Sequence, residues 1–313
     1  MSPENTSPRI VVVGGANTDM VGRPFARLVE HDSNPGYVKI SSGGVGRNVA
    51  ENLASLGFDV ELVTALGGDH NAAELTARCR RAGIGLSYAL VAQELPGSLY
   101  VAILDDGGEM AVALNDMRAL DRLTPRALED RAEVFESADL VVADANLAAD
   151  SLAWLAQRVS APLVLDPVSA AKAPRARGVV GSLAALKCNA LEAAALLGTD
   201  VPHTTAGLAE MADALRTIGA QRVFLTAGPQ GTFFSAEEES GHVRAPRVGV
   251  ANATGAGDAF TAGVAAGLLE GMGVRNCAAF GTVMAGLALE SEHTVSDRVG
   301  RSAVRAVMEA IEA

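Results

Sequence analysis

The stretch Asn252-Ala253-Thr254-Gly255-Ala256-Gly257-Asp258, followed by the apolar run 259–269, is the part of this chain best suited to chemistry. Small residues in a loop at the opening of a predicted helix let the backbone N–H groups of Gly255, Ala256 and Gly257 point at an anion. The positive end of the helix dipole stands behind them. Asp258 is then within reach of whatever attacks that anion. An anion hole beside a carboxylate base is what moving a phosphoryl group onto a hydroxyl requires. The same letters also describe a Gly-rich turn capped by Asp, a common helix start.

Other candidates carry complementary chemistry. Asn17 and Asp19 follow the β-branched run 9–15 directly. A short amide and a short carboxylate at a strand end suit paired hydrogen bonds to vicinal sugar hydroxyls, and equally suit a turn. Ser42-Gly43-Gly44-Val45-Gly46-Arg47-Asn48 opens a predicted helix but lacks the G-x-G-x-x-G spacing of a dinucleotide fingerprint. Its glycines let backbone approach a polyhydroxyl ligand closely, with Asn48 on the first helical turn facing it. Asn189 and Glu192 fall three apart at a strand-to-helix junction and share one helical face. They can order water around a Mg²⁺ carried on nucleotide phosphates, or form a capping box. Thr226, Gly228 and Gly231 mark a strand end and turn that fit a nucleotide edge or a plain reversal.

The elements that must position these residues alternate. Strands are predicted at 9–15, 60–65, 140–143, 163–165 and 222–226, with helices at 44–56, 71–82, 152–158, 190–197 and 208–218. Late strands at 232–235 and 242–245 flank the acidic turn 237–239, and helices follow at 259–269, 275–289 and 301–311. This rhythm predicts an open, mainly parallel sheet covered on both faces, with ligands at the C-terminal strand ends. Strands at 18–22, 37–41, 99–104 and 110–114 do not fit it; the last two bracket the hairpin turn Asp105-Asp106-Gly107-Gly108. Segments 17–41 and 98–116 are read as one small β-lid, inserted in a core of 1–16, 42–97 and 117–313.

Composition narrows the function. With 313 residues, 49% hydrophobic, the chain can bury a sizeable core. A net charge of −12 argues against general affinity for nucleic acid. Lys39, Lys172 and Lys187 are the only lysines, and the absence of a G-x-x-x-x-G-K-[ST] run excludes a P-loop. His31, His70, His203, His242 and His293 share no metal-ligand spacing and pair with no nucleophile, so a hydrolase triad has no support. Cys79, Cys188 and Cys277 read as reduced thiols. No apolar run approaches membrane-spanning length, and 1–8 is too short and polar for a secretory signal, so a cytoplasmic location is expected.

In this order, the Asn17/Asp19 pair, the 43–48 glycine motif, Asn189…Glu192, Thr226…Gly228 and Thr254–Asp258 resemble the ribokinase-like (PfkB-type) carbohydrate kinase family over nearly the whole chain. The resemblance implies an α/β fold: a three-layer α/β/α, mainly parallel sheet with a small β-sheet lid. It implies an ATP- and Mg²⁺-dependent phosphotransferase in which Asp258 deprotonates the acceptor hydroxyl beside the anion hole of Gly255, Ala256 and Gly257. Asn189 and Glu192 would support Mg²⁺ through water. Asn189, Thr226, Gly228, Gly231, Thr254 and Gly257 would meet the nucleotide, and Asn17, Asp19, Gly43, Gly44, Arg47 and Asn48 the sugar.

Within the family, four strings resemble the branch that phosphorylates pseudouridine. They are Asp32-Ser33-Asn34-Pro35-Gly36, the 43–48 motif, Gly108-Glu109-Met110 leading to Asn115-Asp116-Met117, and Asp166-Pro167-Val168-Ser169 with Lys172. For that branch Asn115 and Asp116 would read the edges of a uracil ring, with Lys172 at the same end. The implied reaction is ATP + pseudouridine → ADP + pseudouridine 5′-phosphate. A kinase for another nucleoside or sugar, such as adenosine or ribose, and a non-catalytic nucleoside-binding regulator stay open. Two positions depart from the family. Asn252-Ala253 stands where Asp-Thr is frequent, which weakens an implied monovalent-cation (K⁺) site, and Lys187-Cys188-Asn189 replaces Lys-Pro-Asn. Apolar edges on the projecting lid strands suggest a homodimer through the lid.

Overall fold

The computed structural model describes residues 7–302 and 304. β1 (Arg9–Val13) runs into Gly14-Gly15-Ala16, after which β2 (Asn17–Pro24) and β3 (Gly36–Gly43) pair antiparallel, away from β1. α1 (Val45–Ser55), β4 (Asp59–Val63), the short β5 (Ala65–Gly67) and α2 (His70–Arg81) come next. β6 (Leu90–Ala92) pairs with β5, and β7 (Leu99–Leu104) with β8 (Met110–Asp116) forms the expected hairpin. Two short helices, α3 (Pro125–Glu129) and α4 (Ala132–Glu136), precede the alternating part. That part comprises β9 (Leu140–Asp144), α5 (Ala149–Arg158), β10 (Leu163–Asp166), β11 (Ala185–Asn189), α6 (Ala190–Leu197), α7 (Thr205–Thr217) and β12 (Arg222–Thr226). β13 (Thr232–Ala236), β14 (Ser240–Val243), α8 (Ala256–Leu269) and α9 (Val274–Leu289) complete it.

The main sheet has eight strands in the order β14-β13-β12-β11-β10-β9-β1-β4, parallel except at β13 and β14. β1 shows why the sheet is covered twice. Ile10 and Val12 enter one apolar cluster, with α1, α2, α8 and α9, while Val11 and Val13 enter another, with α5, α6 and α7. A strand buried on both faces needs no polar alternation, and the RIVVV run has none. The chain leaves β1 for β4 on one side and returns to β9 on the other. The C-terminal ends of β1 and β9 therefore border the switch-point crevice in which open α/β sheets bind ligands. The three-layer architecture expected from sequence is the one observed.

A second, separate sheet has the order β3-β2-β7-β8, and its strand β2 begins just after the Gly14-Gly15-Ala16 turn at the end of β1. Cross-strand partners point to the same side of a sheet. Asp19, Tyr100 and Asn115 form one such row across β2, β7 and β8, and Ile40, Met20, Val101 and Leu114 form a row on the opposite face.

Two elements differ from the sequence reading. The strand expected over 60–65 stops at Val63, and Ala65 begins β5, which has its own partner in the three-residue β6. The strand expected over 242–245 is Ser240–Val243, because the Ala236 amide bonds the Glu239 carbonyl at 2.9 Å and tightens the turn, so that Ser240 faces Ser235. Most of the helix expected over 301–311 lies outside the described residues. Among the described residues no helix is long and apolar enough to cross a membrane.

Candidate active site

β9 and β10 both end in aspartate, and the register places Asp166 beside Asp144. Asp144 is buried, and its carboxylate accepts the amides of Gly15 and Gly46 at 2.8 Å and of Asn146 at 2.9 Å. Three amides satisfy most of what the buried anion lost in leaving water. They also tie the end of β1 to the first turn of α1. Burial still holds the Asp144 carboxyl above the ordinary range.

Asn48, on that first turn, donates Nδ2–H to Asp258 Oδ2 at 2.7 Å, across 210 positions of sequence. Asp258 is partly buried in the first turn of α8. Burial, then the Asp166 charge, push its carboxyl up to about 7, against the Asn48 donor and the Lys187 ammonium. A group at that value is ionised often enough to accept a proton and basic enough to want one.

The loop ahead of Asp258 needs its glycines. Gly255 has φ +89°, and a Cβ there would run into the Thr294 carbonyl oxygen. The first intrahelical bond of α8 runs from the Ala259 amide to the Gly255 carbonyl at 2.9 Å. The amides of Ala256, Gly257 and Asp258 precede it and have no partner within the helix. Beneath Gly257 lies the Lys187 ammonium, close enough that a Cβ would fall 2.8 Å from Nζ. Lys187 is buried and bonds Asp166 Oδ2 at 3.0 Å, and the same oxygen accepts the Thr261 hydroxyl at 2.7 Å. Burial works against the ammonium, but Asp166, Glu192 and Asp258 more than offset it and hold Lys187 charged. A fixed cation thus backs the cradle of amides.

In the small sheet, Asn17 donates to Asp19 Oδ1 at 2.5 Å, and Gly43 lies so close to the Asp19 carboxylate that no side chain fits between them. Burial raises the Asp19 carboxyl, opposed by the Asn17 donor and the Arg47 charge. Gly44, φ +96°, packs its backbone on Gly15 and Ala16. A cavity of about 540 Å³ opens beside this end, lined by Asn115, Asp116, Asn146, Lys172 and Arg175, among others. Lys172 donates to Asn146 Oδ1 at 2.5 Å, while Arg118 holds Asp116 through Nε at 2.9 Å and Nη2 at 2.6 Å. Arg47 turns inward: its guanidinium serves Ser42, Asn48 and Glu51 rather than open space.

At the other end, Asn189 and Glu192 form a complete capping box: the Glu192 amide bonds Asn189 Oδ1, and both Glu192 oxygens accept from Asn189. The donor set is all oxygen and amide, which fits a hard cation that keeps its own waters. Among the described residues no three His, Cys, Asp or Glu side chains converge on a metal-sized point. The pair therefore fits water-mediated support rather than a protein cage. Thr226 ends β12 with its hydroxyl 3.4 Å from the Cys188 carbonyl, and Gly228 and Gly231, both at positive φ, turn the chain back into β13. Asn252 folds its Oδ1 onto the exposed Thr254 amide at 2.9 Å.

Sequence reasoning missed Asp144, Asp166, Asn146 and the buried role of Lys187. A signal existed for the two aspartates. Each closes an apolar run, LVVAD and LVLD, where a parallel strand meets its ligand edge.

A model of the pfkB family carbohydrate kinases matches residues 7–299. The chain is 35% identical over 287 residues to "Pseudouridine kinase" of Escherichia coli (strain K12), covering 91% of each. A carbohydrate kinase structure from Agrobacterium tumefaciens superposes with a TM-score of 0.85 at 29% identity, covering 96% of this chain and 97% of that one. The ribokinase of Arabidopsis thaliana, solved with ribose and ATP, shares the fold with a TM-score of 0.84 at 22% identity over 97% of this chain and 99% of that one.

Proposed function

Because the chain belongs to the pfkB family of carbohydrate kinases, phosphotransferases with an alcohol acceptor, we propose that it transfers the γ-phosphoryl group of ATP to the 5′-hydroxyl of pseudouridine. The observation that carries this reading is Asp258: a carboxyl raised to about 7, aimed by Asn48, beside amides at the head of α8 that have no partner within the helix. The relative named pseudouridine kinase, 35% identical, supports the choice of nucleoside.

In this reading the acceptor alcohol lies between Asp258 and the γ-phosphate. Asp258 accepts its proton as the new P–O bond forms. The amides of Gly255, Ala256 and Gly257 face the charge that grows on the transferred group, with the Lys187 ammonium behind them. Asn17, Asp19, Gly43 and Gly44 hold the ribose, with Asn48 beside them anchoring the Asp258 carboxylate. Asn115, Asp116, Asn146 and Lys172 line the cavity for the uracil ring. The turn at Thr226, Gly228 and Gly231, with Thr254, meets the nucleotide. Asn189 and Glu192 would hold, through water, a magnesium ion carried on the phosphates, and that ion would supply further charge neutralisation. Asn252 offers a monovalent cation a neutral amide rather than a carboxylate, so potassium is a weak activator in this account.

A panel of pseudouridine, uridine, adenosine and ribose, assayed by ADP release, tests the reading. Pseudouridine is expected to give the highest kcat/KM, with phosphate at the 5′ position of the product. A preference for ribose or adenosine would move the chain elsewhere in the family, and no acceptor-dependent ADP release would favour a regulator. Asp19→Ala is expected to raise KM for the nucleoside at least about tenfold, because a charged hydrogen bond is lost. Isothermal titration with pseudouridine checks it.

The outer face of the lid also calls for a partner. Val38, Ile40, Val112 and Leu114 are 63%, 53%, 56% and 73% exposed on one side of one small sheet. A second copy of the same lid covers such a face self-complementarily. Leu114→Asp should then convert a dimer to a monomer in sedimentation velocity without lowering kcat per site more than about threefold.

A further inference from the structure

Arg47 is the arginine of the 42–48 glycine motif, and its surroundings do not suit a ligand contact. It is 7% exposed, with the Cys79 thiol of α2 against it. Nη1 donates to the Ser42 carbonyl at 3.1 Å and to Asn48 Oδ1 at 2.8 Å, and Nη2 pairs with Glu51 one turn along α1. A guanidinium has donors only, and a side-chain amide has one accepting end and one donating end. With Oδ1 committed to Arg47, the Asn48 amide can present only Nδ2 to its other neighbour. That neighbour is Asp258 Oδ2, at 2.7 Å.

We infer that Arg47 is a positioning residue for the catalytic carboxylate: it locks the Asn48 amide so that a donor, never an acceptor, faces Asp258. The inference rests on the reading of Asp258 as the base. Without Arg47 the amide is free to turn over, setting Oδ1 against the ionised carboxylate and releasing the Asp258 oxygen from its anchor. Other charges also face Asp258: Asp144 from β9, Asp166 from β10 and Lys187 from β11. None of these is altered by substitution at Arg47.

The test uses the full-length enzyme with pseudouridine and ATP. It compares kcat, KM and their pH profiles for native protein, Arg47→Met, Arg47→Lys, Asn48→Ala and the Arg47→Met/Asn48→Ala pair. A ¹³C-NMR titration of the Asp258 carboxyl runs beside the kinetics. Arg47→Met should lower kcat about tenfold; because the Arg47 charge also acts on the Asp19 carboxyl, nucleoside KM is compared on the alkaline plateau, where it should stay within about threefold. The same substitution should move the low-pH limb upward by roughly half a unit or more, with the NMR titration following. Arg47→Lys keeps a buried donor and should fall between Met and native. The pair should be no worse than Asn48→Ala alone, because the effect passes through that amide. Glu51→Gln unpairs the guanidinium without touching Asn48, so it should lower Tm and leave the limb in place.

A lowered Tm with an unmoved limb in both Arg47 variants would overturn the inference. So would losses that multiply in the pair, or a raised KM at unchanged kcat, the pattern of a direct ligand contact. If Asp258→Asn retains turnover, the base assignment fails separately. The NMR titration then still decides Arg47: a shifted Asp258 titration upholds the positioning, and an unshifted one ends it.

Discussion

Asp258→Asn should lower kcat by about a hundredfold or more while leaving nucleoside binding within a few-fold of native. The amide keeps the size of the side chain but cannot accept the proton of the attacking alcohol. Asn48 Nδ2, now facing a neutral group, keeps a partner in the amide oxygen, so the fold of the site is retained. Single-turnover kinetics with isothermal titration of pseudouridine would separate the two effects. Stability should move the other way. The folded carboxyl titrates near 7 and the unfolded one near about 4. Unfolding between those values releases the proton, so this group's contribution to stability is present at low pH and lost as pH rises through 7. The substituted amide does not titrate and carries no such dependence, so the variant should melt higher than native at pH 8, with the gap closing toward pH 4.

Asp166→Ala should be the most destabilising single substitution in the site. Asp166 is 1% exposed, and one of its oxygens receives both the Lys187 ammonium and the Thr261 hydroxyl, binding β10, β11 and α8 together. Removing it leaves a buried cation without its main partner, a change that costs about 3–5 kcal/mol. Equilibrium urea unfolding would read this as a lower midpoint at an unchanged slope. Replacing both members, as Asp166→Leu with Lys187→Met, should recover most of the lost stability, since two apolar groups leave no charge stranded. It should not recover turnover, because the cation behind the Gly257 amide is gone. An Asp166→Ala protein as stable as native would mean that water reaches the pair.

The order of strands and helices was legible because each is announced locally. RIVVV before two glycines, the capping pattern of Asn189 with Glu192, and the small residues before the apolar helix α8 need only neighbours to be read. The place of Asp258 in the first turn of α8 was legible for the same reason. Asp144 and Asp166 were not assigned, because a lone aspartate at a strand end acquires meaning only when register sets it beside another, and beside amides 98 and 129 positions away. Lys187 has the same history: its ammonium comes to lie under Gly257 only because β11 runs beneath the head of α8. Arg47 shows the opposite case. Its motif points toward a ligand, yet the pairing with Glu51 at i+4, visible in the letters, fixes the guanidinium inward. β6 was passed over because three residues carry no periodicity.

The most direct test of the account is the pH dependence of kcat/KM for pseudouridine, native enzyme against Asp258→Asn. The native profile should fall about tenfold per unit below an apparent value near 7, set by the free enzyme's base, and the variant's residual rate should lack that limb. A native profile that stays level down to about pH 5, or the same limb persisting in Asp258→Asn, would contradict a proton transfer to Asp258.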